Sequence, residues 1–130
     1  MASYNLQNVS PQGFVSGAAI GINRVVAISA ANTVIVTAAI ATVPLGVATT
    51  AATAAGELVT VQQFGKVKCV ASAAVTIGDE LMPTASGAGK VSTLAGATAR
   101  SIGQALTAAT ADGDVIEVQL NIGLKSPVGS

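Results

Sequence analysis

The 130-residue sequence contains no histidine and no tryptophan. Histidine is the commonest general base and metal ligand near neutral pH, so its absence excludes Cys-His and Ser-His-Asp catalytic sites. Carboxylate pairs remain, Asp79 with Glu80 and Asp112 with Asp114. Both lie in stretches typical of turns, where acids accept hydrogen bonds from the backbone. We therefore predict solvated turns rather than a Ca²⁺ or catalytic site, a protein that is not an enzyme, and no cofactor.

Aromatic residues are also scarce, because Tyr4, Phe14 and Phe64 are the only three. The hydrophobic share is nevertheless 51%, carried by Ala, Val, Ile and Leu. Small side chains bury less apolar area each, at about 25 cal/mol per Å², so a single copy would have a thin margin of stability. We predict one core made of small side chains, and a chain that associates into a homo-oligomer.

Charge is sparse and balanced, with six basic and six acidic residues scattered along the chain. Because a nucleic-acid footprint is a clustered basic patch, we predict no nucleic-acid partner. The stretch 25–56 carries no charge, but Thr and Ser recur through it, so we predict no membrane span. The first residues show neither a basic leader nor an apolar block, and we expect synthesis in the cytoplasm. Cys69 is the single cysteine, so no intrachain disulfide can form and a buried thiol is expected.

An internal repeat is the most informative feature of the sequence. Residues 45–62 align without gaps on residues 102–119, an offset of 57 positions, and ten of the eighteen pairs are identical. The alignment pairs glycines with glycines and places the acids Glu57 and Asp114 opposite each other. The same offset also pairs Ile20-Gly21 with Ile77-Gly78, and Val34 with Val91. The repeat predicts two similar β units, residues 18–62 and 75–119.

Alternation of apolar and polar residues predicts strands within these units. In the segment 115–122, Ile116, Val118, Leu120 and Ile122 share one face, which is typical of a half-buried strand. We predict an all-β fold, with a compact β-barrel or β-sandwich-like body built from the two units. The predicted organisation is an extended N-terminal arm (1–14), a single β domain (15–123) and a C-terminal tail (124–130).

The glycines and short apolar strands form a pattern that resembles a known family. It runs through AGELVTVQQFGKV (55–67), IGDEL (77–81), GKV (89–91), IGQA (102–105) and GDVIEV (113–118). Over roughly residues 17–121 the chain is similar to small capsid decoration, or cement, proteins encoded near the major capsid protein of tailed phages. The family has long been catalogued as a domain of unknown function.

The resemblance implies a structural virion protein on the outer capsid surface, made in the host cytoplasm. Such proteins bind the major capsid protein, commonly as trimers or dimers at symmetry positions, and stabilise contacts between capsomers. Their terminal arms reach across subunits. Tyr4, Leu6, Val9 and Phe14 are therefore predicted to contact the capsid or a neighbouring copy, since aromatic and aliphatic anchors dominate such contacts. The alternative is that the arm folds back on its own body.

A second class of function is an Ala/Thr-rich ligand- or ice-binding β protein. Such a protein needs flat ranks of outward threonines. Here Thr49, Thr50, Thr53, Thr107 and Thr110 fall in irregular Ala-rich stretches. The cement interpretation is therefore preferred.

Overall fold

The described residues, 12–37, 43–84, 89–95 and 101–121 of a computed structural model, form ten β-strands and contain no helix. Short runs rich in Val and Ile, separated by turns that contain Gly and Asp, favour strands. This confirms the predicted all-β fold. The strands are β1 (Gln12–Ser16), β2 (Arg24–Ala30), β3 (Thr33–Val36), β4 (Gly46–Ala48), β5 (Leu58–Gln62), β6 (Phe64–Val70), β7 (Glu80–Pro83), β8 (Val91–Thr93), β9 (Gly103–Ala105) and β10 (Val115–Asn121).

The first five strands close into a barrel in the order β1-β3-β2-β4-β5. Strand β1 completes the ring because it pairs with β5 in antiparallel and with β3 in parallel orientation. A closed ring has no sheet edge at which another chain could add a strand. We call residues 12–62 the first unit.

The last five strands form a second sheet in the order β6-β10-β9-β7-β8. Each occupies the place of the strand five earlier: β6 pairs with β10 as β1 pairs with β5, and β7 lies between β8 and β9 as β2 lies between β3 and β4. A bridge between Ala71 and Val91 corresponds to the pairing of Ser16 with Val34 in the barrel. The second unit, residues 64–121, is therefore an opened copy of the first.

The two units correspond at two different offsets. Val26 pairs with Val36 in the first unit, and Leu81 pairs with Thr93 in the second. Leu81 is 55 residues after Val26, whereas Thr93 is 57 residues after Val36. The chain between these paired positions of β7 and β8 is thus two residues longer than the chain between the corresponding positions of β2 and β3.

This length difference corrects the predicted alignment of Ile20-Gly21 on Ile77-Gly78. The structural counterpart of Ile20 is Val75, because Ile20 bridges Ala52 and Val75 bridges Ala109. The offset of 57 holds only after the longer connection, where the sequences of the two units are most alike.

The strand boundaries also differ from the sequence expectation. The first unit begins at Gln12, so Phe14 lies in β1 rather than in an arm. The second unit begins at Phe64, the first residue of β6, whereas the predicted second β unit began at residue 75. The sequence repeat does not reveal where the two units begin, because β1 and β6 share little sequence. Their registers against β5 and β10 nevertheless make Phe14 the counterpart of Cys69.

Buried side chains form two hydrophobic clusters. The first cluster belongs to the first unit, and Phe14, Val36 and Leu45 pack against it. The second cluster fills the second unit but also includes Val25 and Val47, which come from β2 and β4. Both valines are fully buried. The core of the second unit is thus completed by two side chains of the first.

Backbone hydrogen bonds join the units at the same place. In the barrel, the N–H of Val15 donates to the carbonyl of Asn32 at 2.9 Å and holds β1 against the turn before β3. The corresponding residues of the second unit, Val70 and Gly89, bond to the first unit instead. The N–H of Val70 donates to the Asn23 carbonyl (3.3 Å), and the N–H of Val25 donates to the Gly89 carbonyl (2.8 Å). The start of β2 is thereby inserted between β6 and the turn before β8.

Gly89 is required at this junction. A Cβ at this position would lie 2.7 Å from the Cβ of Arg24 and 2.8 Å from the carbonyl oxygen of Val25, closer than real contacts allow. Its φ of +73° is also one that side chains other than glycine rarely adopt. The longer β7–β8 connection therefore carries the glycine that lets the two backbones meet.

Candidate functional site

Two acids that the repeat aligns have the same structural role. Thr53 donates its hydroxyl (2.6 Å) and its N–H (3.0 Å) to the Glu57 carboxylate. Thr110 does the same for Asp114, at 2.9 and 2.8 Å. These hydrogen bonds hold the pKa of both carboxyls below their ordinary values, through the Thr53 hydroxyl first for Glu57 and the Thr110 N–H first for Asp114. Both acids cap turns.

Two other members of the acidic pairs, Asp79 and Asp112, also have side-chain partners. Asp79 accepts the N–H of Thr76 at 3.0 Å and the hydroxyl of Thr93 at 2.9 Å. Asp112 pairs with the Lys90 ammonium at 2.9 Å. Within the described part of the chain, no group of three His, Cys, Asp or Glu side chains is placed to hold a metal ion.

Cys69 lies in the core of the second unit. Its side chain is fully buried in β6, and burial raises the pKa of the thiol to about 12. Such a thiol stays protonated and shielded from solvent, as the sequence predicts for a structural cysteine.

The threonines of the Ala-rich stretches serve the turns. The hydroxyl of Thr50 accepts the N–H of Thr60 at 2.9 Å, and its counterpart Thr107 accepts the N–H of Glu117 at 3.0 Å. Thr53 and Thr110 bind the capping acids. These hydroxyls are thus used within the fold and do not form the flat outward rank that an ice-binding surface needs.

Exposed apolar side chains recur at matching positions of both units. Leu58 and its counterpart Val115 begin β5 and β10 and are 75% and 54% exposed. Ile22 and its counterpart Ile77 precede β2 and β7, and both are more than half exposed. Single exposed apolar residues are normal on soluble proteins, but their repetition gives both units the same surface features.

A surface pocket of about 300 Å³ lies on the second unit, at the end of β10. Most residues that line it are polar, and one of them, Glu80, is charged. It is lined by Gly78, Glu80, Ser101, Gly103, Gln104, Gln119 and Asn121. The register aligns three of these side chains in one row across the sheet, because Gln119 pairs with Gln104 and Gln104 pairs with Glu80.

The predicted contact residues divide into two groups. Tyr4, Leu6 and Val9 lie outside the described residues. Phe14 is half-buried in β1 and packs against the first hydrophobic cluster, in the place that Cys69 takes in the second unit. Its packing favours a role in the core over a role as a partner anchor. Sequence analysis did not predict the pocket. The aligned repeat does place Gln104 opposite Val47, so a polar residue of the second unit stands where the first unit has an apolar one.

Comparison with known proteins places this two-unit body in a family. The family described as phage cement protein matches residues 12–120, from the first residue of β1 to the last but one of β10. The chain belongs to the phage cement protein family. This confirms the resemblance found in the sequence. Family membership supports a phage capsid structural protein rather than an enzyme.

A solved structure shares the fold of this cement-family chain. It is the head fiber gp8.5 N base in bacteriophage phi29, with a TM-score of 0.69 and 17% sequence identity, covering 93% of this chain and 98% of that one. No curated protein matches the sequence. No helix among the described residues is long and apolar enough to cross a membrane.

Proposed function

We propose that this cement-family protein binds the outer surface of a phage head and stabilises contacts between neighbouring capsomers. Its partner is the major capsid protein. The observation that carries the proposal is the family match over residues 12–120, which spans both β units. The shared fold with the head fiber base of phage phi29 supports a place on the head.

The architecture of the two joined β units suits a capsid-binding role. The first unit is a closed barrel, and the second is joined to it through a shared core, so the two units form one body. Identical copies on a lattice make many weak contacts that add through avidity. We further propose that the protein is made in the host cytoplasm and binds as a dimer or trimer at symmetry positions.

The N-terminal arm is proposed to supply contacts to the capsid or to a neighbouring copy. Because the body begins at Gln12, the proposed arm comprises residues 1–11, with Tyr4, Leu6 and Val9 as its anchors. Phe14 was also predicted as an anchor, but it packs within the body and is left out of the proposal.

Co-sedimentation with purified, expanded capsids that lack the protein tests the function. The wild-type chain should pellet with capsids to a saturating copy number, and it should raise the temperature at which they rupture. A chain that stays in the supernatant while remaining folded by circular dichroism would refute the proposed function.

The arm is tested with two matched triple variants. Replacing Tyr4, Leu6 and Val9 by serine should weaken pelleting at least about tenfold, because apolar anchors dominate binding energy at interfaces. Replacing the neighbouring Asn5, Gln7 and Asn8 by serine should leave pelleting within about twofold. Equal pelleting of both variants would show that the apolar arm residues are not the anchors.

A further inference from the structure

The junction between the units shows how one face of a β unit docks on a neighbour. Val25 of β2 and Val47 of β4 pair with each other across that face and are fully buried against the second unit. Their counterparts are Glu80 of β7 and Gln104 of β9, which pair in the same way but are exposed. The second unit therefore presents the same face with polar side chains, and in the described structure nothing packs on it.

The backbone of this face is also preserved. In the first unit, the Asn23 carbonyl accepts a hydrogen bond from the N–H of Val70, a residue of the other unit. The counterpart of Asn23 is Gly78, because both have positive φ and donate their N–H to matching carbonyls, those of Ala48 and Ala105. The Gly78 carbonyl accepts the side-chain amide of Gln104 at 3.1 Å. A side chain thus takes the position that a neighbouring backbone N–H takes at the junction.

The surface pocket coincides with this face. Its Glu80, Gln104 and Gln119 correspond to Val25, Val47 and Gln62, the row through which the first unit meets the second. The surface of the pocket is therefore the second unit's equivalent of the face by which the first unit docks. It has the same strand pairing but carries polar side chains in place of the two valines.

We propose that this face, defined by Gly78, Glu80, Gln104, Gln119 and Asn121, docks an extended segment of the capsid protein that carries a lysine or arginine. The inference rests on the proposed function and names the surface that serves it. An extended backbone fits because the corresponding groups of the first unit bond to backbone N–H and carbonyl groups of their neighbour. The side-chain amides of the face both donate and accept, so they complement a peptide backbone.

The charge and polarity of the face set the partner's chemistry. Glu80 is the charged residue among those that line the pocket, and it favours a basic side chain opposite. Polar side chains keep the face soluble before docking, as is typical of partners that fold separately and associate later. The buried valines at the junction, in contrast, suit two units that fold together.

Charge reversal in the full-length chain tests the proposal. Glu80→Lys should weaken co-sedimentation with expanded capsids by roughly tenfold or more, because a like charge would oppose the basic side chain. Gln104→Arg, which fills the pocket, should weaken it similarly. Asp112→Lys makes the same change of charge beyond the opposite end of β10, where it breaks the ion pair of the exposed Asp112 with the partly covered Lys90, so it should bind within about twofold of wild type.

Three results overturn the proposal. If wild type binds capsids and both pocket variants bind equally well, the face is a solvent-facing cap and the proposed function stands. If the pocket variants lower the mass of the free protein in light scattering, the face joins copies of this chain. If wild type itself does not bind, the proposed function fails together with this inference. Circular dichroism and thermal melts of each variant confirm that loss of binding is not loss of fold.

Discussion

Replacing Val25 by alanine tests whether the first unit completes the core of the second. Val25 belongs to β2 of the first unit, yet its fully buried side chain lies in the cluster that fills the second unit. Truncation removes about two methylene equivalents, worth roughly 1.6 kcal/mol in transfer free energy. The cavity of about 50 Å³ adds roughly 1 kcal/mol. The free energy of opening the second unit should therefore fall by about 2.5 kcal/mol.

Cys69 provides the assay, because it is the chain's single cysteine and lies buried in the second unit. A thiol reagent under native conditions modifies Cys69 only when that unit opens, so the rate follows the opening equilibrium. A loss of 2.5 kcal/mol corresponds to roughly a 60-fold faster reaction, since each 1.4 kcal/mol is about tenfold. The denaturant-unfolded Val25→Ala chain should react at the wild-type rate.

Val26→Ala is the matched control, because the neighbouring valine points into the first cluster. If the units open together, Val26→Ala accelerates labelling of Cys69 to a similar extent. If the second unit opens alone, Val26→Ala leaves the rate unchanged while Val25→Ala still raises it. A wild-type labelling rate in Val25→Ala would refute the shared core.

Three further predictions follow from local geometry. Gly103→Ala should lower the free energy of unfolding in urea by more than about 2 kcal/mol, because the added Cβ would overlap a carbonyl oxygen of β10. Gly113→Ala should lower it by only about 1 kcal/mol, because Gly113 has a φ of +96° but open space around it. Equal losses in the two variants would contradict this. Thermal stability should fall as pH drops below about 4.5, because the folded-state pKa of Glu57 and of Asp114 lies below the unfolded-state value. The stability that these carboxylates contribute is therefore complete above the unfolded-state pKa and is lost as pH falls through the folded-state pKa. Melts of the Glu57→Gln/Asp114→Asn variant should depend less on pH, and an unchanged dependence would show that other groups are responsible. Cys69→Ser should lower the free energy of unfolding in urea by about 1–3 kcal/mol, because it buries a hydroxyl in the core. Cys69→Ala is the control, since it adds no polar group. A smaller loss for serine than for alanine would contradict the prediction.

The features that sequence analysis predicted correctly are local ones. The alternation over 115–121 gives β10 with Ile116, Val118 and Leu120 inward. The aligned acids Glu57 and Asp114 have equivalent turn contacts because each reaches a threonine only four residues away. Strand pairing within a repeat and capping within a turn depend on short stretches, which an alignment preserves.

The junction could not be predicted from such patterns. Val25 and Val47 stand beside other buried residues, Val26 and Ala48, so nothing local shows which of the two cores each valine enters. Between the paired positions of β7 and β8 the chain is two residues longer than between those of β2 and β3, and this shift in the alignment hid the match between Val25 and Glu80. With that shift applied, the change from Val25 and Val47 to Glu80 and Gln104 becomes visible in the sequence.

The start of the first strand was not predicted from the sequence, for a related reason. The predicted arm extended through Phe14, but pairing between β1 and β5 begins at Gln12. This pairing joins residues 43 to 49 positions apart, from Val15 with Leu58 to Gln12 with Val61, beyond what local composition reveals. A strand whose partners lie far along the chain looks like a loop when it is short and polar.

Cryo-electron microscopy of expanded capsids saturated with the full-length protein tests the central claim most directly. The account predicts discrete knobs on the outer surface, each shaped as two joined β units and each contacting more than one capsomer. Capsids that remain bare while the folded protein stays in solution, or density confined to the interior of the shell, would contradict it.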